Sequence, residues 1–362
     1  MAKEANMKKV TQNTAARKDT FSGDIWVGVD VHKKSYSVTI LDQEGRDKQF
    51  TILADPLALV RKLVLTGCPV KQVVYEAGPC GFGLHRVLTS YGLPATIVAP
   101  TRMPRPITRA GKTDSLDSRK LAEYAARDML APVRIPTEAE EGVRRLQRRR
   151  HKLTDRLRKN KQEIKALLLE NHIEEPQGLE YWSKASIVAL KSLKMDFDLK
   201  MTLESLLREQ QFILSERNLV DEAVGKCLSF EQNQDITNLQ SVPGVGPVVA
   251  RSFVTEIFQP KTFSDSSHLA SFLGLAPVLK QSGQGKATGN IVPNGQSRLR
   301  SLLVECAWKH KSQDAQSEAL YRRVLSRSGL AQKAITAVAR RLGILLWRLL
   351  IEKRPYRPSI VQ

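Results

Sequence analysis

The chain is poor in sulfur, in aromatic rings and in acid, and it has no run suited to a bilayer. Its four cysteines, Cys68, Cys80, Cys227 and Cys306, are scattered with no close pair. That spacing excludes a zinc ribbon or a disulfide framework and suits a reducing cytoplasm. No stretch approaches the ~18 uninterrupted apolar residues of a membrane-spanning helix. The first residues are polar and lack an apolar core, so a signal peptide is not expected; residues 1–23 read as a disordered basic tail. Aromatics make up 6% of the chain, too few for recognition built on extensive base stacking. Acidic residues number 37 against 57 lysines and arginines, a formal charge of +20. Such a surplus is unusual for a metabolic enzyme and implies a polyanionic partner, nucleic acid or a membrane surface.

What is present is a folded protein long enough for two or three domains. The length is 362 residues, with 41% hydrophobic and 26% charged. Residues 24–136 have an α/β pattern. Strands are predicted over 25–31, 35–41, 48–53, 71–76 and 95–99, and helices over 56–66, 83–90 and 113–127. A hairpin, a third strand and then alternating helix and strand is compatible with a layered ribonuclease-H-like sheet. Residues 137–232 look helical throughout. Val143, Leu146, Leu153, Leu157, Ile164, Leu167 and Leu168 form a heptad-like seam, and a second stretch over 203–228 can pair back on it. Residues 233–362 form a mainly helical module. Its turn, Val242-Pro243-Gly244-Val245-Gly246-Pro247, has the shape of a helix-hairpin-helix connection. Gly244 and Gly246 would let a phosphate approach the backbone there; a tight turn without a ligand is the plainer alternative. A Gly-, Lys- and Ser-rich loop over 280–286 follows, and Arg298 and Arg300 open another helix. The stretch 334–351 is amphipathic and expected in the core.

Four acidic residues stand out. Asp30 lies in a hydrophobic strand and Glu76 ends another, positions where carboxylates are costly unless compensated. Asp114 and Asp117 are three apart and share a helix face. Four carboxylates around Mg²⁺ or Mn²⁺ is the arrangement of phosphoryl-transfer nucleases, because a hard cation takes oxygen ligands and leaves positions open for phosphate. For Asp114 and Asp117 alone, helix capping by acids near the N-terminus, with Thr113 as the cap, explains as much. His32 can be a proton shuttle or a surface-turn histidine. Lys112 can neutralise phosphate or be solvated. Arg145, Arg148, Arg149, Arg150 and Lys152 belong to a run almost of one sign, which a merely solvated helix face does not need. Ser282, flanked by Lys280 and Lys286, has charge nearby but no evident base to activate it.

Taken together these motifs resemble the DEDD transposases of insertion-sequence family 110, the bridge-RNA-guided recombinases. The resemblance spans nearly the whole chain after the tail. It is carried by Val27-Gly28-Val29-Asp30-Val31-His32-Lys33, Tyr75-Glu76-Ala77, Lys112-Thr113-Asp114-Ser115-Leu116-Asp117, Pro243-Gly244-Val245-Gly246-Pro247, Phe272-Leu273-Gly274-Leu275-Ala276-Pro277 and the 282–286 loop. It implies a RuvC-like domain, a coiled-coil insertion and a C-terminal transposase domain. It implies that Asp30, Glu76, Asp114 and Asp117 bind Mg²⁺. It also implies that Ser282 attacks DNA to give a phosphoserine intermediate, with Ser297 as the alternative nucleophile. The family loop commonly runs Ser-Ser-Gly-Gly-Lys, whereas Gly283 and Gln284 stand here in its second and one later place. The resemblance further implies a composite site assembled in a dimer or tetramer, with the helical arm as a dimer contact. The implied partners are target and donor duplex DNA and a noncoding guide RNA, in the prokaryotic cytoplasm and at the nucleoid during activity, with no membrane. A RuvC-like nuclease or junction resolvase without a covalent intermediate is the nearest alternative. A non-catalytic nucleic-acid scaffold is the alternative from another class.

Overall fold

The computed structural model describes residues 21–100, 114–282, 285–291 and 295–357. The chain forms two compact units, Met1–Ile135 and Pro136–Gln362.

The first unit is built on one five-stranded sheet. Its elements are β1 (Ile25–Val31), β2 (Ser35–Asp42), β3 (Asp47–Leu53), α1 (Pro56–Val64), β4 (Val70–Glu76), α2 (Gly83–Ser90), β5 (Ala95–Val98) and α3 (Asp114–Ala126). The strand order is β3-β2-β1-β4-β5. The first three pair antiparallel, while β1–β4 and β4–β5 are parallel. Parallel neighbours need crossovers, and α1 and α2 supply them. Ile25, Val27, Val29, Val73 and Tyr75 face one core with Leu59 and Leu63 of α1 and Leu88 of α2. The alternate residues Trp26 and Val74 face the other side, against Leu121 and Ala125 of α3. Burial on both faces explains the unbroken apolar runs Ile25–Val29 of β1 and Val73–Tyr75 of β4. This mixed α/β architecture is compatible with a RuvC-like domain.

The seat of α3 is set by one glycine and one hydrogen bond. A Cβ added to Gly28 would lie 1.9 Å from the Ser118 carbonyl oxygen and 2.7 Å from the Ala122 nitrogen. Only glycine lets the helix backbone come this close to the strand. The hydroxyls of Thr39 and Ser118 share a buried hydrogen bond of 2.8 Å, and Thr39 is the β2 partner of Gly28. The helix is therefore fixed in height against β1 and β2.

In the second unit, Thr137 and Glu140 form a capping box that starts α4 (Glu138–Glu170). The expectation of unbroken helix over 137–232 needs correction. The chain leaves α4 at Glu170, passes His172 and Gly178 at positive φ, makes a 3₁₀ turn (Leu179–Tyr181) and then forms α5 (Lys184–Ser192). Pro176 and Gly178 are the breakers. Next, α6 (Phe197–Cys227) returns antiparallel along α4. Leu153 and Leu157 meet Ile213, and further along Ile164 and Leu168 meet Leu203 and Leu207. Within the seam Asn160 is buried and donates to the Leu206 carbonyl at 3.0 Å.

The remaining elements are α7 (Phe230–Gln240), α8 (Pro247–Glu256), α9 (Ser266–Phe272), β6 (Pro277–Ser282), β7 (Gly285–Ile291), α10 (Ser297–Lys311), α11 (Ala315–Ser328) and α12 (Ala331–Glu352). Their core includes Phe253, Leu299, Leu303, Leu342 and Leu346. The stretch expected as a loop over 280–286 is largely a hairpin. Ser282 pairs with Gly285 and Gln281 with Lys286. Gly283 and Gln284, between the strands, lie outside the described residues. A two-residue connection containing glycine is hairpin chemistry, and Leu279, Thr288 and Ile291 on its arms favour strand.

The second unit also contains a buried charge cluster. Glu256, at the end of α8, has a side chain only 3% exposed. Arg148 reaches it with Nε and Nη2, donating at 3.0 and 2.9 Å. Arg144 lies at 3.3 Å and Arg298 at 3.2 Å. One carboxylate thus ties α4, α8 and α10 together. Removing the shared partner of such a cluster costs about 3–5 kcal/mol, because three partly buried guanidiniums lose the carboxylate that offsets their mutual repulsion. Glu256→Gln is therefore expected to lower the melting temperature of the full chain by roughly 10 °C. A shift of less than about 2 °C in a thermal melt would show that the arginines find other partners.

Candidate functional site

The strand ends gather the acidic residues by topology. Asp30 and Glu76 each stand one residue beyond Val29–Tyr75, the last registered pair of the parallel neighbours β1 and β4. By strand alternation Asp30 shares the face of Trp26 and Gly28, and Glu76 that of Val74. That face is the one α3 covers. Along α3, Ser118 sits at the level of Gly28, and Leu121 and Ala125 pack with Trp26 and Val74. The helix therefore runs opposite to β1, and its first turn, with Asp114 and Asp117, points toward the ends of the strands where Asp30 and Glu76 stand. The sheet and the helix seat bring all four positions to one end of one face.

Asp30 is half-buried, with its side chain 25% exposed. The His32 Nε2 lies 3.2 Å from its Oδ2. His32 is thus an exposed residue in contact with Asp30, a member of the quartet. Among the described residues, no three His, Cys, Asp or Glu side chains already converge as a metal-binding group. Lys112 lies outside the described residues.

The basic run on α4 divides into two populations. Arg148 is engaged with Glu256, and Arg150 donates through Nε to Asp221 at 2.6 Å. Arg251 donates to the same Asp221 oxygen at 2.8 Å. These charges hold helices together, a role the sequence did not assign to them. Arg145 and Lys152 are exposed, and Arg149 makes no ion pair among the described residues. In the C-terminal region Arg298 belongs to the Glu256 cluster, where burial lowers its pKa and Glu256 opposes that shift. Arg300 reaches the Gly274 carbonyl at 3.3 Å. Lys280 and Lys286 lie on the β6–β7 hairpin, Ser282 is the last residue of β6, and Ser297 is the first of α10.

The turn between α7 and α8 has an internal reason for one of its glycines. Gly244 has φ +85, and a Cβ on it would lie 2.9 Å from the His310 nitrogen of α10. The Pro243 carbonyl meets His310 Nδ1 at 2.8 Å, and the Gly244 carbonyl accepts from Cys306 at 3.1 Å. Gly246 caps α8, with open space where a side chain would be.

Two family models match the chain. One, for IS110-type DEDD transposases and described as a transposase, covers residues 27–173 and so includes all four acidic positions. The other, described as the transposase IS116/IS110/IS902 family, covers residues 236–322. The chain belongs to the IS110 family of transposases. It is similar to the transposase for insertion sequence element IS1111A of Coxiella burnetii, 27% identical over 350 residues and 91% of each chain. It is also similar to a putative transposase of Sinorhizobium fredii, 26% identical over 91% of this chain and 90% of that one. The transposase for element IS1533 of Leptospira borgpetersenii is 25% identical over 93% of this chain and 99% of its own.

This transposase is thus an enzyme that cuts and recombines DNA, and DEDD transposases generally depend on a divalent metal. The donor set fits: four carboxylate-bearing positions on one edge suit a hard, oxygen-seeking cation. No helix among the described residues is long and apolar enough to cross a membrane. Gly28, Thr39 and Ser118, which seat α3 beside Asp30, were missed in the sequence. The available signal was a glycine at the centre of an otherwise bulky strand.

Proposed function

We propose that this transposase moves a mobile element by RNA-guided DNA cleavage and strand exchange, with a DEDD metal site and a serine nucleophile. The observation that carries the reading is the placement of Asp30 and Glu76 on adjacent parallel strand ends, with the first turn of α3 directed to them. Asp30, Glu76, Asp114 and Asp117 would hold Mg²⁺ or Mn²⁺. When bound, the metal supplies charge that stabilises a scissile phosphate and favours loss of the serine proton. Ser282 provides the attacking oxygen. A bond forms between its Oγ and the phosphorus as the bridging P–O bond of the DNA strand breaks. The serine proton departs, and the leaving strand end is protonated as a free hydroxyl. A strand hydroxyl then attacks the phosphoserine, restoring both the phosphodiester and the serine. The number of phosphate ester bonds is unchanged, so no external energy source is required.

The quartet and Ser282 belong to different units, so this chemistry requires both units to act on one phosphate, and a dimer or tetramer is the proposed working form. The exposed Arg145 and Lys152, together with Arg149, Lys112, Lys280 and Lys286, are proposed to grip backbone phosphates, with sequence delegated to guide-RNA pairing. One other reading is a RuvC-like nuclease in which the quartet activates water and Ser282 is incidental.

The test is to purify the full chain from cells carrying its element and to sequence the RNA bound to it. One discrete RNA, with loops complementary to the element ends and the insertion site, is the expected result. Heterogeneous RNA alone, under conditions that preserve the complex, would favour the nuclease reading.

A further inference from the structure

A groove of about 610 Å³ lies in the second unit between α12, the start of α11 and the segment after α12. Five arginines line it, none of them in the basic run on α4. Arg340, Arg341 and Arg348 share one face of α12 with Ala337, Ile344 and Leu345, at spacings of three, four and seven. The opposite face, including Val338, Leu342 and Leu346, is buried in the core. The arginine face is therefore the one α12 turns outward.

Among the described residues, the groove has one carboxylate in its lining, Asp314, and internal bonds occupy it. Asp314 accepts from the Ser317 nitrogen at 2.8 Å and from the Tyr356 hydroxyl at 3.0 Å. Burial alone would raise its pKa, but these hydrogen bonds hold it below its ordinary value. The Tyr356 nitrogen donates to Ser241 at 2.7 Å, which pins the far wall to the end of α7. Arg341 is held by Gln316, and Arg354 by Glu352 at 2.6 Å. Arg340, Arg348 and Arg357 make no ion pair among the described residues. Three unpaired guanidiniums over an apolar floor formed by Leu320, Ile344 and Leu349 match a strand with phosphates outside and bases inside. A duplex exposes phosphates on a convex surface and keeps its bases paired, so it would leave that floor empty.

We propose that this groove binds a single strand of nucleic acid, with Arg340, Arg348 and Arg357 on its phosphates and Tyr356 beside its bases. The site is separate from the acidic quartet and does not depend on the serine chemistry. Each phosphate contact on a single strand contributes about 0.7 to the slope of log K against log salt. Removing three contacts should therefore flatten that slope by about 2.

The experiment uses the full chain and fluorescence anisotropy with labelled oligouridylate, oligothymidylate of equal length, and duplex DNA of equal length, each across a salt series. The variant R340Q/R348Q/R357Q is expected to bind the single strands roughly tenfold more weakly at moderate salt, with the flattened slope. The corresponding triple lysine variant should keep most of the slope, since it keeps the charges. Duplex binding should change by less than about twofold, because counterion release at other surfaces is untouched. Equal losses for the two single strands would indicate a backbone grip blind to the 2′-hydroxyl, while a loss confined to one would name the strand. An unchanged slope, or a duplex that loses as much as the single strands, would overturn the proposal. So would a groove that an acidic polypeptide occupies in competition while the single strands are unaffected. If the triple variant fails to fold, the single Arg348→Gln change on the exposed helix face reads the same effect at about one third of the slope.

Discussion

Asp30→Asn is expected to reduce metal-dependent DNA strand cleavage by on the order of 10²–10³-fold, the range seen when one pre-positioned electrostatic group is lost from a phosphoryl- or acyl-transfer site. The substitution keeps the shape of the side chain and removes its charge. Asp30 stands at the open end of β1, beyond the registered pairing with β4 and only partly buried, so the sheet should fold as before. Cleavage of DNA carrying the element ends, titrated with Mg²⁺, is the measurement, with a thermal melt as the check on folding. Higher metal should recover part of the activity if the lost group is a ligand. Undiminished cleavage by a folded Asp30→Asn protein would remove Asp30, and with it the quartet, from the mechanism. His32→Gln tests the neighbouring contact in the same assay. A smaller loss is expected there, because His32 lies outside the acidic quartet and touches it through Asp30, at 3.2 Å.

Ser282→Ala should abolish the covalent protein–DNA adduct and leave RNA binding intact. Ser282 is the last residue of β6, and its strand partner Gly285 opens β7. The adduct is measured by trapping on suicide substrates and by mass spectrometry of the modified peptide. Ser297→Ala, at the first residue of α10, is the paired control and should retain the adduct. Adducts that persist in Ser282→Ala and vanish in Ser297→Ala would move the nucleophile to the helix. Metal-dependent cleavage with no adduct in the wild-type chain would support water as the nucleophile, and the test therefore separates the two readings of the site.

The parts of the fold most legible in the sequence are those governed by local pattern. The runs at 25–31 and 83–90 recur as β1 and α2 with the same bounds, because a hydrophobic strand and a short amphipathic helix each declare their period. The positions of Asp30, Glu76 and Asp117 on strand ends and a helix start were legible for the same reason. What joins them was not. The Thr39–Ser118 hydrogen bond connects residues 79 apart, and the close packing of α3 on Gly28 spans still more of the chain, distances over which no pattern carries. The basic run on α4 shows the same limit. Charge counting found Arg148 and Arg150, but their carboxylates lie 108 and 71 residues away. A sequence shows that a charge exists and not which charge it faces. The Gly- and Lys-rich stretch was misjudged for a different reason. Its composition suggests a loop, while the strand pairing of Ser282 with Gly285 depends on backbone geometry that glycine permits without announcing.

The antiparallel pairing of α4 and α6 has a consequence for how this protein can change length over evolutionary time. Asn160 is sealed inside the seam and bonds to the backbone carbonyl of Leu206, with Gln210 buried nearby on the same helix as that carbonyl. An amide in an apolar seam tolerates one alignment and penalises the others. Beyond that point Ile164 and Leu168 are matched to Leu207 and Leu203. Deleting a turn from one helix there would carry these neighbours out of step unless the other helix lost a turn as well. Insertions and deletions in this arm should therefore arrive as matched pairs, one in each helix, so that the arm lengthens or shortens like a ladder losing whole rungs.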